Sequence, residues 1–157
     1  MELTELPFTF RGRIYRSAMP FSSYDPEGKL IPAFTENDIS LIVMLVSDEE
    51  CLRVTGRNLH EAYQAKGFEV IHLPIQDFSV PELAEVREAI HSVLSHSQSG
   101  AGVAIHCHAG IGRTGMFAAC LAKLGMNYPS DEAIRWVREF IPGAVEVPDQ
   151  ERLVRTV

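Results

Sequence analysis

Leu41 to Val46 is an unbroken apolar run rich in β-branched residues, the pattern of a strand covered on both faces. Phe68 to Ile75 and Val103 to His106 predict two further strands. Phe8 to Arg11 and Arg13 to Arg16, separated by Gly12, predict a pair of short strands around a tight turn. Helical spacing appears between these runs. One helical stretch is expected from about Glu49 to Lys66, interrupted near Gly56 and stopped by Gly67. Pro81 opens another, in which Leu83, Val86, Ile90, Val93 and Leu94 share a face. From Thr114 to Met126 the residues are apolar nearly all round, so that helix belongs in the core. Ser130 is placed to cap a further helix carrying Ala133, Ile134, Val137 and Phe140, and a last helix starts near Pro148. Residues 20–32, with three prolines, two serines and a glycine, predict a surface loop.

Strands alternating with helices imply an α/β fold. The expectation is one domain over residues 1–157, with a central, largely parallel sheet of about four or five strands flanked by helices on both faces. Ligands of such sheets bind beyond the carboxyl ends of the strands. One segment there carries chemistry. His106-Cys107-His108-Ala109-Gly110-Ile111-Gly112-Arg113-Thr114-Gly115 joins an apolar strand to an apolar helix. A loop entering a helix gathers backbone N–H groups into one concavity, and the helix dipole makes it positive. Gly110 and Gly112 let the backbone curl, so residues 108–113 are the expected phosphate cradle. Arg113 adds a planar fork of donors suited to two phosphate oxygens. A cysteine facing such a field ionises readily and becomes a strong nucleophile, so Cys107 is the expected nucleophile.

Charge and cysteine content narrow the partners. Fourteen basic against twenty-one acidic residues give a formal charge of −7, which disfavours nucleic acid or an anionic membrane. Three cysteines without paired spacing argue for a reducing compartment, with Cys51 and Cys120 as small core residues. The N-terminal residues lack a basic flank and an apolar signal core, so a cytoplasmic monomer is the expectation. His106-Cys107-His108 does not read as a metal site, because adjacent side chains point apart and no second cluster has ligand spacing. No cofactor is expected.

The loop resembles that of the cysteine-dependent protein phosphatases: His-Cys, five residues, Arg, then Ser or Thr. With Arg16-Ser17-Ala18-Met19-Pro20, Leu73-Pro74-Ile75-Gln76-Asp77 and Ile141-Pro142-Gly143-Ala144-Val145-Glu146, nearly the whole chain is most similar to a small atypical dual-specificity phosphatase. That resemblance implies hydrolysis of phosphotyrosine, and of phosphoserine or phosphothreonine, on a protein or peptide through a phosphocysteine intermediate. Asp77 matches the position of the family's general acid, which protonates the departing oxygen. Thr114 is placed to hydrogen-bond the sulfur and to favour the thiolate, and a helix-capping role is the compatible alternative. His106 resembles the histidine that orients the loop, and Gln150 the glutamine that positions the attacking water. His108 departs from the small or basic residue of many relatives; an imidazole beside a phosphate dianion has its protonated form favoured. The Asp48-Glu49-Glu50 group either braces Arg113 or starts a helix. The alternatives are a phosphate-reading module with little turnover, a sulfur-transfer enzyme, or a phosphatase acting on RNA 5′-phosphates or small metabolites.

Overall fold

The structure, a computed structural model, describes residues 2–157. Five strands form one sheet: β1 (Thr4–Leu6), β2 (Ile14–Ser17), β3 (Ile39–Met44), β4 (Glu69–His72) and β5 (Gly102–His106), in the order β1-β2-β5-β3-β4. Every pairing is parallel except that of β1 with β2. β5 is central and buried throughout. Seven helices accompany it: α1 (Leu30–Glu36), α2 (Asp48–Thr55), α3 (Leu59–Ala65), α4 (Leu83–Gln98), α5 (Gly112–Met126), α6 (Ser130–Phe140) and α7 (Pro148–Thr156). α1 packs on β3 and α3 on β4, while α4 reaches β5 and joins α5, α6 and α7 in a second layer. As expected, α5 lies in the core, buried from Gly112 to Ala122.

The antiparallel edge strand lies at Thr4–Leu6, earlier than the expected Phe8–Arg11. Phe8 instead stacks on Phe10 at 5.0 Å and meets the edge of Trp136 at 4.8 Å, so these aromatics face the helices. Gly12 is needed for close approach rather than for a hairpin turn. A Cβ there would lie 2.0 Å from the Ala101 carbonyl oxygen. The loop expected over residues 20–32 gives way to α1 at Leu30. Pro32 fits because a proline in the first helical turn forgoes no intrahelical bond, and Asp25 accepts the Lys29 and Leu30 amides. Gly56, in the left-handed region at φ 70°, separates α2 from α3. β4 stops at His72, although the Leu73 and Ile75 amides still bond to Met44 and Leu45 across the irregular stretch at Pro74. α4 begins at Leu83, two residues beyond Pro81. Ser130 is the first residue of α6 and makes no side-chain cap bond; Pro129 holds the cap position.

Candidate active site

Residues 107–111 turn the chain from the carboxyl end of β5 into α5. Gly110 takes φ 78°, and a Cβ on it would lie 2.5 Å from the Ser17 carbonyl oxygen. Only glycine relieves both constraints. The segment leaving β2 backs the loop: the Met19 amide donates to the His108 carbonyl at 2.9 Å, and Arg16 Nη1 to the Gly110 carbonyl at 3.2 Å. Burial lowers the Arg16 pKa from its ordinary value, and attraction to Cys107 opposes that shift. The sequence motif contained Arg16, but its position before a loop gave no sign of this second cation near the sulfur.

Cys107 is 3% exposed. Its Sγ accepts hydrogen bonds from the Gly110 amide at 3.3 Å and from Thr114 Oγ1 at 3.1 Å. Thr114 lies inside α5, whose cap residue is Ile111, so its hydroxyl serves the sulfur and the capping alternative falls. The first amides of α5 lack intrahelical acceptors and open toward the same concavity.

Arg113 is 2% exposed and held on several sides. Its Nη1 donates to Glu50 Oε2 at 2.9 Å and to the Ile75 carbonyl at 2.8 Å. Its Nη2 lies 3.5 Å from Asp77 Oδ1. Thus Glu50, from the acidic start of α2, supplies the expected brace. Arg113 Nε is buried with no hydrogen-bond partner among the described residues. A buried guanidinium N–H left unpaired is costly unless an anion takes it.

Behind the loop, His106 donates from Nδ1 to the Cys107 carbonyl at 2.9 Å. That bond leaves Nε2 as an acceptor, so the Tyr63 hydroxyl donates to it at 2.9 Å. Burial, against the opposing Cys107 hydrogen bond, pushes the His106 pKa down to about 4, with help from Arg113 and His72. The neutral ring fixes the peptide that carries the nucleophile. Tyr63 was not foreseen, because α3 presents it to the sheet as an ordinary core aromatic.

Asp77 is exposed in the loop after β4, and its Oδ1 also accepts the Phe78 amide at 3.0 Å. Phe78 is 60% exposed at φ 59°, a conformation costly for a bulky residue. Gln150 is wholly buried rather than on a helix surface. Its Oε1 accepts the Glu146 amide at 2.8 Å and its Nε2 donates to the Ser79 carbonyl at 3.5 Å, which ties the acid loop to the segment before α7. The Glu146 carboxyl stands above its ordinary pKa, through partial burial first and the charge of Asp77 second, with Arg113 opposing. His108 meets Tyr24 edge-on at 5.8 Å, while Ala109 and Ile111 are partly exposed on the loop. Cys51 and Cys120 are buried free thiols whose pKa burial pushes up to about 12, which makes them inert.

Residues 26–126 match the family described as "Tc-R-P: Polymorphic toxin system, DSP-PTPase phosphatase". This chain belongs to the dual-specificity and tyrosine phosphatase family. Its phosphatase domain is 32% identical over 124 residues to the dual specificity protein phosphatase CDC14AB of Danio rerio, covering 78% of this chain and 18% of that protein. It is 33% identical over 97 residues to protein tyrosine phosphatase domain-containing protein 1 of Bos taurus, covering 62% and 12%. The chain therefore spans less than a fifth of the length of these relatives. Among solved structures, the phosphatase domain superposes on a mutant form of Tk-PTP with a TM-score of 0.80 and 30% identity, covering 98% of this chain and 93% of the other. The kinase associated phosphatase, with its catalytic site cysteine replaced by serine, gives a TM-score of 0.87 over 98% and 92% at 21% identity, a likeness of fold.

Asp48, His60 and His72 come together outside the loop, with one candidate ligand atom from each within 4.8 Å of the others. They lie on three separate elements, so no local spacing announced them.

Proposed function

We propose that this domain hydrolyses phosphate monoesters on proteins or peptides, phosphotyrosine foremost and phosphoserine or phosphothreonine where the side chain reaches the loop. The observation that carries this reading is the buried Cys107 sulfur, held by two donors on the loop that leads into Arg113, whose buried Nε has no partner among the described residues. In the first step sulfur attacks phosphorus as the P–O ester bond breaks, and Asp77 gives its proton to the departing oxygen. The α5 amides and Arg113 carry the charge that develops on the equatorial oxygens. In the second step Asp77, now a carboxylate, takes a proton from water as its oxygen attacks phosphorus. The S–P bond breaks, inorganic phosphate leaves, and Thr114 receives the returning thiolate by its hydrogen bond. His106 holds the loop throughout, and the reaction as written needs no cofactor. His108 faces the substrate side and Gln150 steadies the acid loop. A monomer in the reducing cytoplasm suits a protein whose nucleophile is a single thiol.

The test is turnover of an aryl phosphate with a reductant and a chelator present, followed by rates on phosphotyrosine and phosphothreonine peptides, inositol phosphates and RNA 5′-triphosphate. The reading expects activity that Cys107→Ser abolishes and Asp77→Asn slows. Binding of phosphopeptide without turnover would instead identify a phosphate-reading module. A preference for the RNA or inositol substrate would move the protein to another branch of phosphatase chemistry.

A further inference from the structure

Met44 pairs with His72 on one side and with His106 on the other, so the three residues lie level across β4, β3 and β5. Level partners in a parallel sheet project to the same face. α3 covers that face one turn at a time: Tyr63 bonds His106, while His60 meets the His72 ring edge-on at 4.9 Å. The Tyr63–His106 contact is sealed, whereas His60 and His72 are only half-buried and Asp48 is exposed at the start of α2. His60 Nδ1 lies 3.8 Å from Asp48 Oδ1.

We propose that Asp48, His60 and His72 form a binding site for a divalent transition cation of the zinc class, separate from the phosphate loop. Two imidazoles and one carboxylate are a three-ligand set for such a cation, with water completing a tetrahedron. Bond lengths of about 2.0–2.2 Å place tetrahedral donors roughly 3.4 Å apart. The 3.8 Å between His60 Nδ1 and Asp48 Oδ1 therefore has to close by a few tenths of an ångström, and one candidate ligand atom from each of the three residues lies within 4.8 Å of the others, so the widest spacing closes by about 1.4 Å at most. His72 has a second feature typical of a ligand. Its Nε2 donates to the Val46 carbonyl at 2.7 Å, which fixes the tautomer and leaves Nδ1 with a free lone pair, as outer partners do for metal-bound histidines. Imidazole donors and a mixed N/O set favour zinc or cobalt over magnesium or calcium, which take oxygen ligands.

A cation there would cross-link the first turn of α2, the first turn of α3 and the end of β4. Those elements carry the supports of the catalytic loop: Glu50 on α2 holds Arg113, and Tyr63 on α3 holds His106. The site is thus a clamp on the scaffold and touches no reacting atom.

The experiment uses the full chain carrying Cys107→Ser, so that the loop thiolate cannot bind the metal. Cobalt(II) is titrated at pH 7.5 while the visible d–d bands of a tetrahedral complex are followed, and zinc is then used to displace it. The proposal expects one site per chain, no sulfur charge-transfer band, a higher melting temperature with zinc, and affinity lowered more than tenfold by His60→Ala or His72→Gln. Asp48→Asn, at an exposed position, repeats the test where a histidine variant fails to fold, and His91→Ala on α4 serves as the unaffected control. Absence of binding at micromolar metal, or binding unchanged by all three substitutions, overturns the assignment.

Discussion

His106 gives the fold a pH dependence that can be worked out in advance. The folded ring has a pKa of about 4 because burial excludes its charged form, whereas an unfolded imidazole titrates near about 6.5. As pH falls below about 6.5 the unfolded chain takes up a proton that the folded chain refuses until about 4. The unfolded state then binds more protons, so stability rises with pH inside this window. The contribution is fully present above about pH 6.5 and is lost as pH falls toward 4. The difference amounts to about 2 kcal/mol at pH 5 and about 3 kcal/mol once both states are protonated. His106→Asn keeps a donor at the Nδ1 position for the Cys107 carbonyl but cannot titrate, so any loss from the missing Tyr63 bond is the same at both pH values. Urea unfolding of both proteins at pH 7.5 and pH 5 should show the wild type losing about 2 kcal/mol more than the variant. Carboxylates common to both proteins cancel in that comparison. Equal losses refute the reasoning, as does a proton magnetic resonance titration in which the His106 ring of the wild type protonates near pH 6.5.

Thr114→Val removes the hydroxyl donor to Cys107 Sγ. A hydrogen bond to a charged group is worth about 1.5–3 kcal/mol, so kcat falls by roughly tenfold or more, and rapid-quench kinetics should show a larger burst as the second step slows. Glu50→Ala frees one side of the Arg113 guanidinium, and kcat/KM for an aryl phosphate drops by about tenfold as its aim loosens; Glu50→Gln, which keeps an acceptor, recovers part of the loss. Gly110→Ala meets the Ser17 carbonyl at 2.5 Å in a left-handed conformation, so it costs about 1–3 kcal/mol in urea unfolding and suppresses activity by displacing the loop.

The parallel core was legible because Leu41–Val46 and Val103–Ile105 are apolar without interruption, and α5 because its residues are apolar nearly all round. Patterns of this kind report burial, which is decided mainly by local composition. The edges were less legible. Phe8 and Phe10 alternate as a strand does, yet they pack on one another and on Trp136 beyond the sheet. Gly12 reads as a turn, yet it is fixed by Ala101, 89 residues away in the chain. Pro32 reads as a loop residue although it sits in the first turn of α1. At the site, the cysteine, the arginine and the threonine stand on one short loop and the first turn of the helix that follows it, so their spacing encodes their geometry. Glu50, Tyr63 and Arg16 reach the loop from other elements, and only the register of β3 with β4 and β5, together with that of β2 with β5, brings them there. The same register assembles Asp48, His60 and His72, which no local pattern connects.

The central claim is that the Cys107 sulfur takes the phosphoryl group. It is tested most directly by mixing Asp77→Asn with an aryl phosphate whose leaving group departs without a proton, quenching in acid, and mapping the protein by mass spectrometry. The account predicts one added phosphoryl group on the peptide containing Cys107, because the variant forms the thiophosphate faster than it can activate water. An unmodified Cys107 peptide alongside continuing turnover, or full activity in Cys107→Ser, would contradict it.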